Sequence, residues 1–148
     1  GAMAAIWSEG VRPIEPVWVP GAGGSRSPRI LIQMTSLHPA SRAQVARLAE
    51  AFPDVVVLTG LAEQVAETFA DLVERERWDV LGLIGGDGAR AALGRLDASA
   101  IRIVDAVLEG IPLAIVVGGR ADGMPIFTKA GGFGAVDALV RVVERLRA

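Results

Sequence analysis

Hydrophobic positions in this sequence follow two alternating rhythms between residues 29 and 96. Short continuous apolar runs occupy Arg29–Met34, Val55–Leu58 and Val80–Ile84, and they predict buried β-strands. Each run is followed by apolar positions at helical spacing. Pro39 and the box Ser41-x-x-Gln44 open the first helix, with Val45, Leu48, Ala49 and Phe52 facing inward. A second helix is predicted over 62–77, using Val65, Phe69, Leu72 and Val73. A third is predicted over 87–96, using Ala89, Ala92, Leu93 and Leu96. After Leu96 the rhythm changes. Three strands with short glycine-containing breaks are predicted over 101–108, 112–117 and 124–128, then a last helix over 135–146. Strand–helix alternation with uniformly apolar strands implies an α/β fold. We expect a layered, Rossmann-like three-layer arrangement, its sheet mostly parallel in the first half, with helices on both faces.

Residues 1–28 are different. Gly1-Ala2-Met3 has the form of a scar left by tag cleavage. Pro13, Pro16, Pro20, Pro28 and the run Gly21–Ser25 are linker chemistry around a short strand candidate at 14–19. Trp7 and Trp18 suggest that the segment packs on something. The expected domain is therefore 29–148. A length of 148 residues suits one domain of that kind.

Composition removes several classes of function. The sequence has no cysteine, which excludes thiol catalysis, disulfides and zinc fingers. His38 is the single histidine, so no histidine cluster can hold a metal. A formal net charge of -2 offers no basic excess for nucleic acid or anionic membrane. The apolar runs are far shorter than the ~20 residues of a membrane span. No signal peptide is visible, and a cytoplasmic location is expected.

Two glycine clusters are the candidate chemistry. Gly85-Gly86-Asp87-Gly88 follows a strand and opens a helix, and so does Gly131-Gly132-Phe133-Gly134. Free N–H groups and the helix dipole at such places attract anions, phosphate above all. Glycine in a tight turn is the plain alternative for either loop alone. The pair favours phosphate, because Lys129, the one lysine, stands just before the second loop. Lys129 reads either as a phosphate contact or as a solvated strand-end charge. Asp87 reads either as a helix cap or as a ligand to magnesium beside a polyphosphate. No Gly-Lys dipeptide is present, which excludes a Walker loop, and the kinase strings His-Arg-Asp and Asp-Phe-Gly are absent. Gly86-x-Gly88-x-x-Ala91 formally matches a dinucleotide fingerprint, but it follows the third strand rather than the first.

Three strings in order, Leu83–Ala89, Glu109-Gly110-Ile111-Pro112 and Thr128–Gly134, resemble the C-terminal nucleotide-binding domain of the four-carbon acid sugar kinase family. Thr35–Pro39 with Gln44 is similar to that family's Gly-Ser-x-Ser-Pro turn and its following glutamine. The resemblance runs from Arg29 to the end. It implies an ATP site between the Gly85–Gly88 loop and the Gly131 region, with magnesium as cofactor and the His38 position facing the nucleotide. The implied nucleotide-binding residues are Ser36, His38, Gly85, Gly86, Asp87, Gly88, Lys129, Gly131 and Gly132. Asp87 is the implied metal ligand. Two positions depart from the family pattern: Gly88 stands where threonine is usual, and His38 replaces the second serine.

The family's N-terminal sugar-acid-binding domain has no counterpart here. The expected function is the ATP-binding half of a sugar-acid kinase, with acceptor recognition on a domain in cis or on a partner chain. Homo-oligomer formation is left open. The alternatives are a diverged, non-catalytic nucleotide-fold module and a small dinucleotide-binding domain.

Overall fold

The computed structural model describes residues 27–148. The 14–19 strand candidate, Trp7 and Trp18 lie outside the described residues. Six strands and four helices follow in the order β1 (Ile30–Met34), α1 (Pro39–Ala51), β2 (Val56–Thr59), α2 (Ala62–Arg75), β3 (Val80–Ile84), α3 (Gly86–Arg95), β4 (Ala100–Leu108), β5 (Ile111–Val117), β6 (Pro125–Lys129) and α4 (Ala138–Leu146).

The strands form one sheet in the order β2-β1-β3-β6-β5-β4. The pairs β1/β2, β1/β3 and β3/β6 are parallel, whereas β5 runs antiparallel to both β6 and β4. The sheet is thus mixed, and the last strand in sequence lies near its centre. Alternation along each strand sends side chains to two cores. Ile30, Ile32, Val80 and Phe127 face Leu48 of α1 and Leu139, Val142 and Val143 of α4. Leu31, Leu81, Leu83 and Ile126 face Phe69 of α2 and Leu96, which closes α3. Helices cover both faces, as the sequence pattern implies.

The elements depart from the pattern at three places. Helix α1 is capped by His38, whose Nδ1 accepts from the Ala40 amide at 3.0 Å, with Pro39 in the first turn. Ser41 and Gln44 are therefore not a capping box. They are buried on the inward face with Leu48, while Ala49 is exposed. Helix α4 begins at Ala138 rather than residue 135, because the preceding residues belong to an anchored loop. Strand β4, at the sheet edge, is largely exposed and carries two register shifts, and Ile103 on it is 59% accessible. Such irregularity at an edge discourages pairing with another chain.

Gly82 of β3 sits opposite Phe127 of β6, and a Cβ there would overlap the Phe127 ring. Gly82→Ala is expected to lower stability by about 1–3 kcal/mol. Adding Phe127→Leu should recover part of that loss relative to Phe127→Leu alone, measured by urea unfolding of all four chains.

Candidate functional site

Strands β1, β3 and β6 are parallel neighbours, so their C-terminal ends share one edge. The ladder continues one step past the strands: the Thr35 amide donates to Ile84 O and the Gly85 amide to Lys129 O, each at 3.1 Å. From β1 the chain enters α1 on one face, and from β3 it enters α3 on the other. The crevice between two such connections is where open α/β sheets bind ligands. The loop leaving β6 forms the third wall.

All nine residues singled out in the sequence lie at this edge. Gly85 is the N-cap of α3 with φ of 103°, and no side chain among the described residues caps the helix. Glycine meets this backbone at little cost, and a Cβ here would also stand 2.9 Å from Thr35 Oγ1. Gly86 is exposed, with open space where its Cβ would be. Asp87 lies in the first turn of α3 with its side chain 90% exposed and pairs with Arg90 at 3.2 Å. It is not the helix cap. Its negative charge suits the helix dipole. Gly88 is buried beneath Thr35, whose side chain fills the space a Cβ would need.

The Gly131 loop lies against the β1–α1 turn. A Cβ on Gly131 would stand 2.5 Å from Ser36 Oγ, and one on Gly132 would stand 2.7 Å from the His38 ring. Ser36 Oγ accepts from the His38 amide at 3.1 Å, and its own hydroxyl donates to Ser41 Oγ, 3.0 Å away. Phe133 covers Gly110, so the Glu109-Gly110 turn between β4 and β5 reaches the same edge.

Lys129 is 3% exposed, and its Nζ donates to Ala130 O at 2.9 Å and Gly131 O at 2.7 Å. Ser41 Oγ also donates to Gly131 O. Gln44 Nε2 reaches Phe133 O, Gly134 O and Ala135 O at 3.1, 3.1 and 2.9 Å. Every peptide bond described is trans, so each N–H points opposite to its own peptide's carbonyl. Holding the carbonyls of 130 and 131 toward Lys129 and Ser41 therefore turns the Gly131 and Gly132 amides away from those side chains. Of the two readings of Lys129, the solvated strand-end charge is not what forms. Lys129 is a desolvated cation with carbonyl partners, and burial pushes its pKa down.

The apolar pattern did not reveal Thr35, Ser41 and Gln44 as parts of this site, although the family resemblance had already named Thr35 and Gln44. The available signal was two polar residues three apart, on the helix face shared with Leu48. Among the described residues, no three His, Asp or Glu side chains converge on a metal-sized site.

This edge defines a class: an α/β domain with two glycine-lined loops at the mouth of its central strands. The family described as the nucleotide-binding C-terminal domain matches residues 26–139. The chain belongs to that family, the C-terminal domain of the four-carbon acid sugar kinases. A protein of Bordetella bronchiseptica named D-threonate kinase is 33% identical across 91% of this chain and 44% of its own length. A D-threonate kinase of Salmonella typhimurium is 36% identical across 57% of this chain and 21% of its own. A crystal structure from Bordetella bronchiseptica, a domain-swapped dimer with bound citrate, superposes with a TM-score of 0.77 at 32% identity, covering 84% of this chain and 41% of that one. The chain spans less than half the length of these relatives. A Salmonella typhimurium structure described as a putative tRNA synthase shares the fold alone, at 14% identity and a TM-score of 0.61.

Two outcomes follow from this geometry. Gly88→Ala should cost about 1–3 kcal/mol through its clash with Thr35, whereas Gly86→Ala, in open space at a helical position, should be neutral or slightly stabilising. Thr35→Gly should relieve the first loss and leave the second unchanged, as thermal unfolding would register. Lys129 carries the opposite pH sign from a cation gaining a partner. Its folded pKa lies below its unfolded value, so the charged form is penalised at neutral pH and the penalty fades as pH rises through the folded pKa. The stability of the native chain relative to Lys129→Met should therefore increase as pH rises toward the ordinary lysine range, about pH 10. A difference that stays flat or shrinks would contradict a desolvated ammonium.

Proposed function

We propose that this domain binds ATP with magnesium in the crevice between the Gly85–Gly88 and Gly131–Gly132 loops. In this reading it is the nucleotide half of a kinase that phosphorylates a hydroxyl of a four-carbon sugar acid, of the D-threonate type. The single observation that carries it is the anchoring of the Ala130 and Gly131 carbonyls by Lys129 and Ser41, which leaves the two glycine amides turned away from those side chains and supports their use as donors in the crevice. The open N-terminus of α3 faces the same crevice, and both are suited to phosphate oxygens.

The residues fit the two groups in different ways. Gly86 leaves room for phosphate to approach the helix backbone. Gly131 and Gly132 donate amides, and Ser36 with His38 shapes the wall opposite. Lys129 adds positive charge from below the loop while holding it in place. Asp87 is the carboxylate placed to hold magnesium, directly or through water. A magnesium ion here would take its remaining oxygen ligands from phosphates and water, its usual habit at nucleotide sites. Bound magnesium would offset charge as the phosphoryl group moves. The acceptor hydroxyl must be held in line with the γ-phosphate. That task, and the choice of sugar acid, falls to another domain in cis or to a partner chain.

A second reading, a diverged non-catalytic module, draws on two positions. Gly88 lacks the family's hydroxyl, and His38 replaces a serine with a larger ring that also serves as a helix cap.

Calorimetric titration with Mg-ATP, ADP and NAD separates these readings. Saturable ATP and ADP binding, stronger than NAD binding and lost in Gly131→Trp with the fold intact by circular dichroism, is the expected result. Absence of binding by any nucleotide at about millimolar ligand (the ~4 kcal/mol level) would overturn the ATP reading and favour the non-catalytic module.

A further inference from the structure

Thr35 is the first residue beyond β1, and its side chain lies against the first turn of α3 at the floor of the crevice. A Cβ on Gly88 would stand 2.1 Å from Thr35 Oγ1, 2.6 Å from its Cγ2 and 2.8 Å from its Cβ. The Thr35 side chain therefore fills the volume that a side chain at residue 88 would need. The same Oγ1 would stand 2.9 Å from a Cβ on Gly85, the N-cap of α3. The family pattern carries the reverse pair. Thr35 stands at the glycine of its Gly-Ser-x-Ser-Pro turn, and Gly88 stands where threonine is usual.

We infer that these two departures are a single exchange: Thr35 supplies, from the end of β1, the hydroxyl that Gly88 lacks, and it contacts phosphate in this chain's site. The role rests on the ATP reading above. The two positions constrain each other. Threonine at both would place two side chains in one volume, and glycine at both would leave the floor without a hydroxyl. Thr35 Oγ1 lies beside the uncapped N-terminus of α3, where amides and the helix dipole draw phosphate oxygens. The residue is partly exposed, so a ligand in the crevice can reach it. Its hydroxyl donates to Ile84 O at 3.5 Å, much longer than the ~2.7–2.8 Å usual for a hydroxyl donor. Little therefore holds that proton from turning to a charged phosphate oxygen, which is the stronger acceptor. Ile84 O loses little by the turn, because it keeps the Thr35 amide as a donor at 3.1 Å. The exchange also removes Gly88 as an argument for a non-catalytic module, since the hydroxyl has moved to the facing wall.

The test is calorimetric titration of Mg-ATP into the native chain, Thr35→Ser, Thr35→Val and the double exchange of Thr35→Gly with Gly88→Thr. Thermal unfolding is followed for each, and for the two single changes of that exchange. Thr35→Val keeps the shape and removes the hydroxyl. It should bind Mg-ATP about tenfold or more weakly while melting close to the native chain. Thr35→Ser keeps the hydroxyl and should bind close to the native chain. The double exchange should bind more tightly than Thr35→Val. In melting, Gly88→Thr should cost less in the Thr35→Gly background than alone. Native affinity in Thr35→Val would overturn the hydroxyl's role. So would equal losses in Thr35→Ser and Thr35→Val, which would mean that the crevice needs the shape of the side chain and not its oxygen. An equal melting loss from Gly88→Thr in both backgrounds would overturn the shared volume, and with it the exchange. Failure of the native chain to bind Mg-ATP would remove the ATP reading and the hydroxyl's role together, while the melting comparison would still decide whether the two positions share one volume.

Discussion

Backbone carbonyls inside a protein need donors, and the loop after β6 has five of them turned inward. Lys129, Ser41 and Gln44 meet that demand from the adjoining strand end and from α1. Ala130 O and Ala135 O also accept from the Phe133 and Ala138 amides, so without these donors it is Gly131 O, Phe133 O and Gly134 O that would lose their partners, at a cost of up to about 1–3 kcal/mol for each group. With them, the loop is pinned by its carbonyl side and its glycine amides are left for something else. The two residues that interrupt the apolar face of α1 are thus the ones that tie α1 to the mouth of the sheet. Gln44 alone spans three successive carbonyls.

Topology adds the second constraint. The connections from β1 and β3 leave toward opposite faces, which opens a crevice, and β6 then delivers a third loop to the same edge. Close contacts between the loops explain why glycine recurs there. Gly88 gives way to Thr35, Gly131 to Ser36 and Gly132 to His38. The glycines are small because their neighbours are near, and Gly86 alone of the first cluster faces open space.

Much of the architecture was legible in the sequence, because buried parallel strands and amphipathic helices write distinct periods into it. The six strands after residue 28, the four helices and their two-faced packing all follow from those periods. The placement of β6 between β3 and β5 did not, since periodicity records burial and not strand order. Pro39 does open α1, and the misreading of Ser41 and Gln44 as its cap has a specific cause. Ser41-x-x-Gln44 has the form of a capping box, but His38 and Pro39 had already begun the helix one turn earlier, and the polar pair was serving a loop some 90 residues away. The glycine clusters and Lys129 were visible as a group. That Lys129 would be buried, with carbonyls for partners, was not visible, because nothing local distinguishes a lysine at an exposed strand end from one under a loop.

The central position of β6 also bears on the order in which the domain can assemble. Strands β1, β2 and β3 are made of residues 30–84 and can pair among themselves, while β4 and β5 can close locally as a hairpin. Residues 125–129 join the two parts. Until they emerge during synthesis, one long edge of β3 and one of β5 remain open to other chains. Long-range pairing of this kind is slow to form and exposed to aggregation while incomplete. The strand that brings the second glycine loop to the site is thus also the keystone of the sheet, and no part of the crevice can be finished before the whole domain is.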